Sequence, residues 1–198
     1  MSTMATNANT MIFETIIVST NAQNQAHIAP FGVRYENEWV VISPYRPSTT
    51  LDNLLTTKTA TLNLTDDVRV FAGAVTGQRD WPLLPAIKIE GYRLADSLTH
   101  LELSLVRVID DAIRPALYFK VLSTITHAPF KGFNRAQAAV IELSVLVSRL
   151  DRLPTERILA ELAYLQTAIN KTAGERELEA WGWLNKAIKD YQLQGTAS

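Results

Sequence analysis

No cysteine occurs in the 198 residues. That excludes disulfides, thiolate catalysis and cysteine-ligated zinc, and it gives no sign of an oxidising compartment. Histidine is scarce. His27, His100 and His127 stand far apart, without the short spacings of a zinc site, so no metal is expected. Charge of neither sign is in excess: the formal net value of −1 provides no electrostatic footprint for nucleic acid or an anionic membrane. No apolar run approaches the roughly 20 residues of a membrane span. The start, MSTMATNANTM, lacks the basic and apolar segments of a signal peptide. The expectation is a soluble, cytoplasmic protein with residues 1–11 as a flexible arm.

What is present suffices for a core, with 47% hydrophobic and 20% charged residues. Phe13 to Thr20 has the β-branched run of a buried strand. Ala26 to Tyr35 reads as a second strand broken at Pro30 and Gly32, since a strand proline belongs at an edge or bulge. Trp39 to Ser43 is a third strand, and the three form an antiparallel meander. Thr59 to Leu64 alternates as a half-buried strand does. Thr65 is read as the cap of a helix reaching Gln78, with Asp66 and Asp67 in its first turn. Arg79 to Pro85 is a proline-broken loop carrying Trp81, and Ile87 to Leu94 is a short strand. Leu101 to Asp110 and Leu117 to Thr126 are strands joined by DDAIRP, a turn whose Asp110 and Asp111 receive no acid–base role. Six or seven strands before residue 130, with only short helices between them, argue for an α+β chain built on a closed or nearly closed antiparallel barrel.

Beyond Gly132 the period becomes helical. Asn134 caps a helix to about Leu150, and Pro154 opens a second with Ile158, Leu162, Leu165 and Ile169 on its apolar face. After Gly174 a third runs from about Glu175 to Tyr191, carrying Leu178, Trp181, Leu184 and Ile188, with Trp181 read as core. The expected organisation is a barrel over 12–130 and a three-helix unit over 131–198, packed on the barrel or on a partner subunit.

The stretch YRPSTTLDNLL carries the chemistry. Arg46, Ser48, Thr49 and Thr50 gather donors where a helix starts. Unpaired N–H groups, a positive dipole end and an arginine fork make a seat for phosphate. A second reading stays open, in which Thr49 only caps the helix and Arg46 is solvated. Ahead of this loop, the small residues of AHIAP allow close approach to the backbone.

The order strand, polar turn, AHIAP, strand, YRPSTT, short helix, TATLN resembles the flavin reductase-like, FMN-binding split barrel. Arg46, Ser48 and Thr50 fall on that group's Arg-x-Ser-x-Thr-like phosphate loop and Asn63 on its strand asparagine, while Tyr45 replaces the usual asparagine. FNRAQAAVIELSVLVSRL (133–150) and AINKTAGERELEAW (168–181) are similar to an uncharacterised branch, domain-of-unknown-function family 447, known from archaea and from bacteria with one-carbon metabolism. The resemblance implies a split barrel with a helical extension, FMN, and a homodimer. It implies cofactor contacts from His27, Ile28, Ala29, Pro30, Arg46, Ser48, Thr49, Thr50, Asn53 and Asn63. From the residues alone, a lone strand histidine such as His27 is more often a packed or surface residue than a ligand contact. Trp81 either covers the flavin ring or packs between subunits, and Arg135 is a candidate contact for a substrate carboxylate or a cofactor phosphate. The implied activity is electron transfer from NADH or NADPH through FMN to a small-molecule acceptor; a non-catalytic flavin-binding or structural dimeric subunit is the alternative.

Overall fold

The computed structural model describes residues 11–195, so the expected N-terminal arm lies, but for Met11, outside the described residues. In chain order the elements are β1 (Phe13–Thr20), β2 (Ala26–Glu36), β3 (Trp39–Ile42), α1 (Thr49–Thr57), β4 (Thr59–Leu64), α2 (Arg69–Thr76), β5 (Leu83–Pro85), β6 (Tyr92–Leu94), β7 (Thr99–Ile109), β8 (Ala116–Thr126), α3 (Arg135–Val147), α4 (Thr155–Thr172) and α5 (Glu175–Gly195). Six strands close into a barrel in the order β1-β2-β3-β8-β7-β4, and β5 and β6 form a separate two-stranded sheet. The α+β barrel expected from the strand pattern is therefore present.

The described residues divide into two compact units, 11–63, 84–93 and 100–125 forming one and 64–83, 94–99 and 126–195 the other. The first unit is the barrel with α1. Ile16, Ile17, Val33, Ile42, Leu54, Leu62, Leu103, Leu117 and Phe119 are completely buried in it. The second is helical. Val68 and Ala72, at α2, share one apolar cluster with Val140 and Leu143 of α3, Ile158 and Ile169 of α4, and Trp181, Leu184 and Ile188 of α5.

Local differences from the sequence expectation have clear causes. β2 is not broken: it pairs with β1 from Ala26 to Val33, Pro30 opposite Ile16 and Gly32 opposite Glu14. β3 meets β2 at Arg34, Tyr35 and Glu36, so Pro30 occupies a stretch paired on one side, the edge position a strand proline takes. At Gly32 a Cβ would stand 2.7 Å from Ile12 Cγ2, so any larger residue there would force the Ile12 side chain to shift. Thr65 does not cap α2. Its Oγ1 accepts from the Asp67 amide at 3.0 Å and Asp67 Oδ1 accepts from the Arg69 amide at 3.1 Å, so both acceptors serve the turn before the helix. Leu178 is 54% exposed, whereas Glu177 is buried. Glu177 accepts from the Gly174 amide (2.9 Å) and from Gln137 Nε2 (3.2 Å), which satisfies its carboxylate inside.

Candidate functional site

Strand register brings together two residues that the chain keeps far apart. β1 lies between β2 and β4, with Ile16 opposite both Pro30 and Asn63, Ile17 opposite Ala29 and Leu62, and Val18 opposite Ile28 and Thr61. Pro30 and Asn63 therefore share one rung and one face of the sheet, as do Ile28 and Thr61. Asn63 has no exposed surface; its Nδ2 donates to Thr61 Oγ1 at 3.0 Å and to the Ile16 carbonyl at 3.3 Å. His27 through Pro30 are half-buried on the edge of β2 that β3 does not cover. His27 stands opposite Ser19, and Ser19 Oγ accepts from the buried Asn53 Nδ2 at 3.1 Å. That bond fastens the middle of α1 to the strand beside the AHIAP edge.

At the other end of α1 the cap is Ser48 rather than Thr49. Ser48 is extended (φ −157, ψ 141), and its side chain accepts from the Leu51 amide at 3.2 Å. Thr49 is the first helical residue and is exposed; Thr50 is 2% exposed. The amides of Thr49 and Thr50 lie in the first turn, where a helix offers no acceptor. The dipole of α1 adds positive potential at the same place.

Arg46 is not simply solvated. Its amide donates to the Ile113 carbonyl (2.9 Å), its Nε to the Asp111 carbonyl (3.2 Å) and its Nη2 to Asp110 Oδ1 (2.8 Å). All three acceptors belong to the turn between β7 and β8. From the same turn Arg114 Nε donates to the Ser43 carbonyl at 2.9 Å, and the Arg114 guanidinium lies 4.9 Å from the centre of the Tyr45 ring. Asp111 Oδ1 accepts from the amides of Arg114 (2.6 Å) and Ile113 (2.9 Å), which holds its carboxyl below the usual aspartate range. An Asx-type turn at Asp111 was readable in the sequence. Its pairing with a loop sixty-odd residues upstream was not, because no local signal encodes it.

A second feature of the barrel unit escaped sequence reasoning altogether. Glu102, in the LELSL run of β7, is fully buried. It accepts from three successive amides, Ile87 (2.8 Å), Lys88 (2.6 Å) and Ile89 (3.0 Å), and lies 3.3 Å from Nε2 of the equally buried His100. Burial opposes ionisation, but the amides and the imidazole outweigh it and hold the carboxyl below the ordinary glutamate value. The loop so pinned lines a cleft of about 460 Å³ together with Thr20 of β1 and Asn21 and Asn24 of the β1–β2 turn. The one available signal was a carboxylate placed between Leu101 and Leu103 in a strand.

Trp81 and Arg135 belong to the second unit. The Trp81 ring lies under Arg69 at 5.8 Å and its Nε1 donates to the Gln78 carbonyl, while Arg135 is the exposed first residue of α3. The remaining candidate residues, His27 to Pro30, Arg46, Ser48 to Thr50, Asn53 and Asn63, all lie in the barrel unit.

The closed six-stranded barrel of this order is of the split-barrel fold class, as in the solved structures it resembles. Within that class the chain belongs to the family described as protein of unknown function DUF447: the N-terminal domain of that family matches residues 13–128 and its second part residues 134–186. An FMN-bound protein from Methanosarcina mazei, assigned to the same family, superposes with a TM-score of 0.76 at 17% identity, over 89% of this chain and 94% of that one. Flavoredoxin from Methanosarcina acetivorans gives 0.50 at 11% identity, over 64% and 76% of the two chains. BorF, the flavin reductase component of a bacterial two-component tryptophan halogenase, gives 0.51 at 12% identity, over 61% and 83%. At these identities the likeness establishes the fold. No curated protein matches the chain.

Proposed function

We propose that this chain is a cytoplasmic FMN-binding flavoprotein, an oxidoreductase of the flavin reductase-like class that works as a homodimer. It takes electrons from NADH or NADPH and delivers them to a small-molecule acceptor, with a place in one-carbon metabolism suggested by the family resemblance alone. What supports the reading is that the Arg46 guanidinium, the first turn of α1 and the His27–Pro30 stretch not paired by β3 all belong to the barrel unit. The donor set fits the cofactor. Arg46, the Thr49 hydroxyl and the Thr49 and Thr50 amides suit a phosphate. The small Ala29 lets a flat ring approach the strand backbone, and Asn53 and Asn63 hold that wall in shape. The FMN found on the Methanosarcina mazei relative supports the assignment.

When bound, FMN supplies reversible electron transfer, and the chain's residues bind, orient and shield it. The test is direct. Purified protein should carry flavin absorbance or gain it on adding FMN, and anaerobic NADH or NADPH should bleach it. Absence of FMN binding would make the barrel a structural module. Bound FMN that neither nicotinamide reduces would make it a flavin carrier rather than an enzyme.

A further inference from the structure

We infer that the β7–β8 turn, acting through Asp110 and Asp111, positions Arg46 and thereby sets the preference of this site for phosphorylated over unphosphorylated flavin. The inference rests on the FMN reading and adds to it a positioning role for residues outside the phosphate loop. An arginine on an exposed loop ordinarily samples many rotamers, and ordering it on a ligand costs binding energy. Here the side chain is already ordered. Its amide is fixed to Ile113, its Nε to the Asp111 carbonyl and its Nη2 to Asp110 Oδ1.

A guanidinium has five N–H donors. Two are used on the turn, so three remain for a phosphate beside the first turn of α1. The turn is itself rigid. Asp111 Oδ1 holds the amides of Ile113 and Arg114, so the Asp111 carbonyl cannot swing away from Arg46, and Arg114 ties the turn back to Ser43. Asp110 is 83% exposed in its side chain, so its pairing with Arg46 contributes little to stability. What it does contribute is orientation, and orientation of a phosphate ligand is read as selectivity.

The experiment compares FMN with riboflavin, which lacks only the phosphate, by fluorescence titration of the full chain. Wild type should prefer FMN, and Arg46→Ala should lower FMN affinity by about ten- to hundredfold, with riboflavin affinity unchanged. Asp110→Ala should lower the FMN preference by about two- to tenfold, again with riboflavin unchanged. Asp110→Asn retains an acceptor for Nη2 and should restore the preference, which a merely structural defect would not allow. Asp111→Ala should act as Asp110→Ala does. An unchanged preference in both alanine variants, alongside its loss in Arg46→Ala, overturns the positioning role and leaves the FMN reading intact. So does a rise in Asp110→Ala, because the carboxylate would then be a competitor for Arg46. A wild type that binds neither flavin overturns this inference together with the FMN reading, whereas one that binds both equally overturns this inference alone.

Discussion

Removing the Glu102 carboxylate would leave the amides of Ile87, Lys88 and Ile89 without their acceptor. The loop is exposed enough at Ile87 to reach water instead, so Glu102→Ala is expected to cost about 1–3 kcal/mol and to show fast hydrogen exchange at those amides. The pH dependence has a definite sign. The folded carboxyl titrates below the unfolded value of roughly 4.3, so its stabilisation is complete above that pH and is lost as pH falls through the folded value. Denaturant unfolding between about pH 3 and 6 should therefore show a steeper acid loss in wild type than in Glu102→Gln. Equal slopes would mean that the carboxylate is not what holds the loop. Neither Glu102 nor Asp110 announced its role in the sequence, because each acts on groups far away in the chain. Asn134 and Ser48 act within three residues, and polar cap signals of that kind can be read locally.

α3 shows how much of one helix a sequence can specify. Asn134 caps it as expected, accepting from the amides of Ala136 (2.8 Å) and Gln137 (3.3 Å). The same side chain also donates to the Thr172 carbonyl at the end of α4, a bond the sequence does not disclose. Asn134→Ala should lower thermal stability by about 1–2 kcal/mol. Leu143, with no exposed surface, should cost ~2–5 kcal/mol as alanine, measured by denaturant unfolding. A loss under about 1 kcal/mol at Leu143 would mean that α3 is not held by this cluster. Periodicity gave the buried face of α5 at Trp181, Leu184 and Ile188, but it could not register that Glu177, which accepts from Gly174 and Gln137, is buried while Leu178 is exposed.

Over the whole molecule, no helix among the described residues is long and apolar enough to cross a membrane. Val106, Val108 and Ile109 of β7 and Leu122 of β8 are nonetheless exposed on neighbouring strands of the barrel. Val106 and Val108 share one face of β7, and apolar exposure repeated along a strand face suits an interface. The proposed homodimer should bury well above ~1,200 Å² in total, and light scattering at micromolar concentration should return twice the chain mass. A monomer that still binds FMN would remove the dimer from the proposal.

Strands β1, β4, β7 and β8, the α3 cap and the Tyr45–Thr50 donor cluster were all legible in the amino-acid sequence by itself. Each depends on period, capping or composition over a few residues. The uninterrupted course of β2, the rung that sets Pro30 beside Asn63 and the grip of the β7–β8 turn on Arg46 were not. Nor was the merger of α2 with the C-terminal helices through Val68 and Ala72. Those arise when the barrel closes and the helices pack, since register and long-range contacts satisfy backbone and side chains from segments that carry no mark of one another.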